Sequence, residues 1–213
     1  HAFLTSTDTI NKRLTRARER LRQESITLEM PAAKDLQARL ENVLLTIYLL
    51  FNEGYYSERG GPIIRQECCF DAMRLCHLLL ENKKTNLPEG YFYLSLVQEA
   101  LGENDKAIES GKNAVALDQK NVDFIISLAR MLQNRGKEED MKNSELLYQA
   151  VINLDEKNIN GHFYLGMFYE KSKKKQEAKE QYRKVIEMLP ANSDEAKKQL
   201  EKMISNVDAG IEN

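Results

Sequence analysis

"INGHFYLGMFYEKSKKKQEAKEQYRKVIEMLP", residues 159–190, holds two apolar stripes recurring at spacings of three and four, the period of two amphipathic helices. Small and large residues alternate in a way that packing explains. Gly166 and Ala178 let the two helices approach closely, Tyr169 and Tyr182 are large enough to fill the space between neighbouring units, and Pro190 closes the stretch. The same arrangement recurs upstream. Aligning Leu165-Gly166 with Leu128-Ala129 and Leu94-Ser95 puts unit starts at Pro88, Val122 and Ile159, spaced by 34 and 37 residues.

A two-helix unit repeating every 34 residues resembles the tetratricopeptide repeat. The resemblance implies an all-α solenoid of three helix-turn-helix repeats over 88–121, 122–158 and 159–192. The first keeps Tyr91, Leu94, Ser95, Ala107 and Ala114 but has Gly111 for the usual aromatic and Gln98 for the usual Tyr, so looser packing is expected there. The middle unit keeps Leu128, Ala129, Leu132, Tyr148 and Val151, with three extra residues within "GKEEDMKNS" placed between its helices, where an insertion is cheap. Ser193 is placed to cap a last helix with Ala196, Leu200 and Met203 inward and Lys197, Lys198, Glu201 and Lys202 outward, the polar end such arrays need.

Upstream, four prolines and ten glycines in 213 residues and the absence of alternating patterns extend the all-helical reading to the whole chain. Ile10, Leu14, Ala17 and Leu21 form one stripe behind a cap at Ser6 or Thr7. Leu36, Leu40, Val43, Leu44, Ile47, Tyr48 and Phe51 form a wider apolar face on a second helix. A loop, "NEGYYSERGGP", leads to a third helix from Pro62 to about Asn82. Its glycines match no phosphate-binding motif. The longest apolar run, "VLLTIYLLF" at 43–51, is far short of the roughly 20 residues of a bilayer span. With no secretory leader pattern, the expected location is cytoplasmic, without membrane contact.

"AFLTSTDTINKRLTRARERLR" (2–22) and "LLTIYLLFNEGYYS" (44–57) are similar to two parts of RNA polymerase sigma factors of the extracytoplasmic-function group. The first matches the end of the region that reads the promoter's upstream element, the second the start of a helical C-terminal extension. The resemblance covers residues 1–86, reduces the helix supporting the reading helix to "HAFL", and divides the chain from the repeats of 87–213. It implies DNA contacts from Ser6, Thr7, Lys12, Arg13 and Arg16, and RNA polymerase and promoter DNA as partners of a full-length parent. Net charge is −2, but six Lys/Arg against one Glu lie between Lys12 and Arg22, so any nucleic-acid contact belongs there.

Catalytic chemistry has little to stand on. Cys68, Cys69 and Cys76 fall on one helix and read as reduced thiols; His77 beside them lacks the C-x-x-C or H-x-x-x-H spacing of a metal site. No cofactor, metal or catalytic residue is expected, and the chain reads as a non-enzymatic interaction module. In tetratricopeptide arrays the first helix of each unit lines a concave groove. Positions two, five, nine and twelve of the unit are Glu89, Phe92, Leu96 and Glu99, then Asp123, Ile126, Arg130 and Gln133, then Asn160, Phe163, Met167 and Glu170. They predict an apolar centre with an acidic rim, suited to a protein or peptide partner and above all to an amphipathic helix. The role expected is protein binding within a sigma-factor-like transcription initiation protein; the other reading is a free-standing adaptor or scaffold.

Overall fold

The computed structural model describes residues 33–55, 66–81 and 87–209, together with six positions of an N-terminal helix, Lys12, Thr15, Arg16, Glu19, Arg20 and Gln23. Among the described residues the longer elements are all helices. These are α1 (Ala33–Tyr55), α2 (Gln66–Glu81), α3 (Pro88–Ala100), α4 (Asn104–Leu117), α5 (Val122–Arg135), α6 (Glu138–Leu154), α7 (Ile159–Lys171), α8 (Lys175–Met188) and α9 (Asp194–Ala209). No described helix is long and apolar enough to cross a membrane. Backbone contacts divide the chain into two units, His1–Asn42 and Val43–Asn213. In the first, all six described N-terminal positions are exposed and helical; Ile10, Leu14, Ala17 and Leu21 lie outside the described residues.

In the second unit, α3, α5 and α7 begin at the three residues the repeat spacing marks, each for a local reason. Pro88 is a first-turn proline, and Asn121 and Asn158 accept from the backbone N–H of Phe124 (3.4 Å) and Gly161 (2.8 Å). The pairs α3–α4, α5–α6 and α7–α8 stack in order, and α9 closes on α8. A buried core runs through them, with Tyr148 and Tyr182 fully enclosed. Lys179, 8% exposed, ties α8 to the cap through Asp208 at 2.6 Å. On α9, Leu200 is buried while Lys198, Glu201 and Lys202 are exposed.

The three extra residues of the middle unit do not make a longer turn. Only Gly136 and Lys137 separate α5 from α6, and α6 has 17 residues where α4 and α8 have 14. The insertion has become most of a helical turn at the start of α6 because Asp140, 5% exposed, finds a partner there. Its carboxylate accepts from Arg135 Nε (2.6 Å) and Nη2 (2.7 Å), while Arg135 Nη1 reaches Asp105 Oδ1 (2.6 Å). Nor is the first unit loose. Leu128 Cδ1 of the next unit would stand 3.3 Å from a Cβ at Gly111, occupying the space an aromatic would fill, and buried Ser110 donates to Gln98 at 2.8 Å.

Residues 43–81 share a core with the first repeat. Ile47 and Phe51 of α1, Cys69, Ala72 and Cys76 of α2, and Leu94 and Val97 of α3 form one buried cluster. The compact unit therefore extends upstream of the sequence boundary at 86. The buried stripe of α1 is narrower than its apolar pattern. Val43, Tyr48, Leu45 and Leu49 are exposed.

Candidate partner-binding groove

The first helices of the repeats, with α1, enclose a hollow of about 670 Å³. Of the residues expected in a groove, Phe92, Leu96 and Glu99 of α3, Asp123, Ile126 and Arg130 of α5, and Asn160 of α7 line it. A second hollow of about 520 Å³ takes Gln133, Met167 and Glu170 and shares Arg130, Asn134 and Tyr164 with the first, so the two adjoin. Glu89 and Phe163 line neither. Both are half-buried, and the Phe163 ring lies against Tyr164 and Tyr182 at 5.6 and 6.2 Å.

Phe92, Leu96 and Ile126 give the lining an apolar part, and the acidic character is partly cancelled. Arg130 Nη2 donates to Glu99 Oε2 at 3.2 Å and Asn134 Nδ2 to Glu99 Oε1 at 3.3 Å, so a polar bridge spans α3 and α5 in the middle of the groove. Glu170 accepts from the Tyr182 hydroxyl at 2.7 Å, and Gln133 from Tyr148 at 3.1 Å. Burial, and for Tyr182 the nearby Glu170, push both tyrosines above their usual range, so they stay neutral hydrogen-bond donors. Burial, followed by the nearby Tyr48 and Glu89, raises Tyr93 as well.

One wall of the groove escaped the sequence reading. Tyr48, Asn52 and Tyr55 of α1 face it, alongside Tyr93, Ser127 and Tyr164 from the repeats. The α1 residues follow i, i+4, i+7 spacing, one helical face beside the buried Ile47 and Phe51. That spacing was the available signal, but tyrosine fits an apolar core stripe equally well.

Elsewhere the described residues offer little chemistry. Cys69 and Cys76 are buried, and burial pushes the Cys76 thiol up to about 12 and raises Cys69, which keeps both protonated and unreactive. His77 is exposed on the same helix. No group of three potential metal ligands occurs among the described residues. Of the residues expected at DNA, Lys12 and Arg16 are exposed on one helical face, and Ser6, Thr7 and Arg13 lie outside the described residues.

Comparison with known proteins adds three findings. Residues 79–196, more than half the chain, match the family model of the cytochrome c-type biogenesis protein H TPR domain. An uncharacterized protein of Rhizobium meliloti (strain 1021) is 42% identical over 79 residues, 37% of this chain but only 19% of that protein, so the chain matches under a fifth of that relative's length. Among solved structures, a thermophilic TPR protein of Thermus thermophilus superposes with a TM-score of 0.57 at 18% identity, over 80% of this chain and 85% of that one. The type III secretion translocator chaperone SycD of Yersinia enterocolitica gives 0.50 at 16% identity, over 62% and 91%. At such identities the likeness is one of fold.

Proposed function

The chain belongs to the family of the cytochrome c-type biogenesis protein H TPR domain, and from that premise we propose that it is a non-enzymatic module whose concave groove holds a segment of a partner protein. The observation that carries this reading is the pair of adjoining hollows along α3, α5 and α7, lined by Phe92, Leu96 and Ile126 and crossed by a polar bridge through Arg130. Aromatic and aliphatic anchors in a concave setting are where binding energy concentrates. Titrating the chain with a panel of short apolar and amphipathic peptides, followed by amide NMR, tests it. Saturable shifts confined to these three helices are expected; a panel that produces none removes the reading.

A second reading assigns the chain to a cytoplasmic sigma-factor-like initiation protein, with residues 1–86 serving RNA polymerase and promoter DNA. It is supported by the two stretches at 2–22 and 44–57 and by the exposed Lys12, Arg16 and Arg20 on one helical face. In this chain the basic segment would bind DNA weakly and without sequence preference, through phosphates, fading steeply as salt rises. A gel-shift series over salt with promoter-like and scrambled duplexes checks this; tight, selective binding at physiological salt contradicts the weak, sequence-blind form. A free-standing adaptor is the reading left if no DNA binding is seen.

A further inference from the structure

The groove's walls carry more information than its apolar centre. At one end Tyr48, 44% exposed, stands 6.3 Å from Tyr93 between ring centroids, and Phe92 stands 5.4 Å from Tyr93. All three line the same hollow. Aromatic faces carry negative potential and attract ammonium and guanidinium groups. Burial first, then Tyr48 and Glu89, keeps the Tyr93 hydroxyl protonated, so its ring stays neutral. Arg130, the cation among the described residues lining this hollow, is held by Glu99, which leaves exposed Asp123 as the wall charge that this pair does not neutralise; Lys171 lines the adjoining hollow.

We propose that the groove selects a cationic segment of a partner protein, seating a lysine or arginine side chain against Tyr48, Tyr93 and Phe92 with Asp123 as its counter-charge. The proposal rests on the groove reading above and specifies its ligand. Tyr48 lies outside residues 79–196, so the preference comes from a helix that the matched family segment does not include.

The test is fluorescence anisotropy on the full chain with labelled peptides that share one apolar sequence and carry lysine, glutamine or glutamate at the same positions. The lysine probe should bind on the order of tenfold more tightly than the glutamate probe. The gap should close as salt rises. Asp123→Lys should reverse the order, and Tyr48→Leu should weaken the lysine probe about two- to fivefold more than the glutamine probe. Both positions are exposed, and an unchanged unfolding temperature confirms that the variants fold. If all probes bind alike and shift the amide signals of Ile126 and Ser127, the groove reading stands and the cation preference is overturned. If none binds, both fall.

Discussion

The first and third repeats face the same steric problem with opposite residues. Where α7 meets α8, Gly166 leaves room for the fully buried ring of Tyr182; where α3 meets α4, Ser95 faces a helix with Gly111 at the position matching Tyr182. The large side chain missing from the first repeat is supplied by Leu128 of the second. The middle repeat is intermediate. There Ala129 and Tyr148 keep the small-against-large pairing, and Ser144 replaces the alanine of the third unit and donates to the Ala129 carbonyl at 2.8 Å. Volume is conserved at the interface even where residue identity is not, which is what close packing requires. The practical difference is in who holds the fold together. The third repeat is filled from within, and the first depends on its neighbour.

The strongest way to break this comparison is at Gly166. A Cβ there would stand 2.6 Å from Tyr182 Cε1, and the ring is enclosed on all sides, so it cannot step aside cheaply. Gly166→Leu is expected to cost about 3 kcal/mol, near the upper end of typical overpacking, read as a fall in the midpoint of urea unfolding. Gly111→Ala is the matched control. Its Cβ would meet the tip of Leu128 at 3.3 Å, with Leu128 Cβ and Met131 Sδ at an ordinary 3.8 Å, and alanine is the better helix former, so the midpoint should hardly move. Equal losses at both sites would mean that the two interfaces are not packed differently.

How much of this was legible beforehand follows from where each constraint resides. The starts at Pro88, Val122 and Ile159 were readable because small-large pairing and helix entry are set within a few residues. The filling of the first unit was not, because Leu128 belongs to the next unit and nothing near Gly111 announces it. The insertion in the middle unit is where the spacing puts it, but its helical form depends on Asp140 reaching Arg135, a pairing across a turn that apolar periodicity does not report. In the groove, the repeat positions found much of one hollow and part of the other. The wall from α1 was missed because the apolar pattern puts Tyr48 on the core face, which the structure gives to Ile47 and Phe51 instead.

That insertion supplies the next test, this time between the middle repeat and its neighbours. Arg135 holds the Asp140 carboxyl below its usual 3.8 through paired hydrogen bonds, and Asp140 is buried. A depressed folded pKa stabilises the fold above the unfolded value, and the benefit is lost as pH falls through the folded one. Asp140→Asn keeps the shape but removes the charge and should cost about 1–3 kcal/mol at neutral pH, the worth of hydrogen bonds to a charged group. The wild-type advantage should shrink below about pH 4. Urea midpoints for both proteins across that range decide the matter: a pH-independent difference would assign the effect to packing rather than to the ion pair.

The smallest expected effect concerns the turn inside each unit, where the first and third repeats again differ by one residue. Fifteenth in each unit stands a residue with left-handed backbone: Gly102 (φ 79°), Gly136 (φ 72°) and, in the third, Lys173 (φ 60°). The first and third turns share their closing bonds, Glu103 N–H to Gln98 O and Lys174 N–H to Tyr169 O, both 2.8 Å. The same geometry is therefore met once by a residue without a Cβ and once by one that has it. For an L-residue this conformation costs roughly 1–2 kcal/mol, while glycine gives back part of that through the greater freedom of its unfolded chain. Lys173→Gly is thus expected to stabilise the protein by about 0.5–1 kcal/mol, a rise of roughly 1–4 °C in unfolding temperature for a chain of this size. Gly102→Lys should lower it by a similar amount. Lys173 is exposed, so loss of its side chain removes no core packing and the comparison isolates the backbone. If Lys173→Gly lowers the unfolding temperature, the third turn is held by something other than the dihedral that the other two repeats assign to glycine.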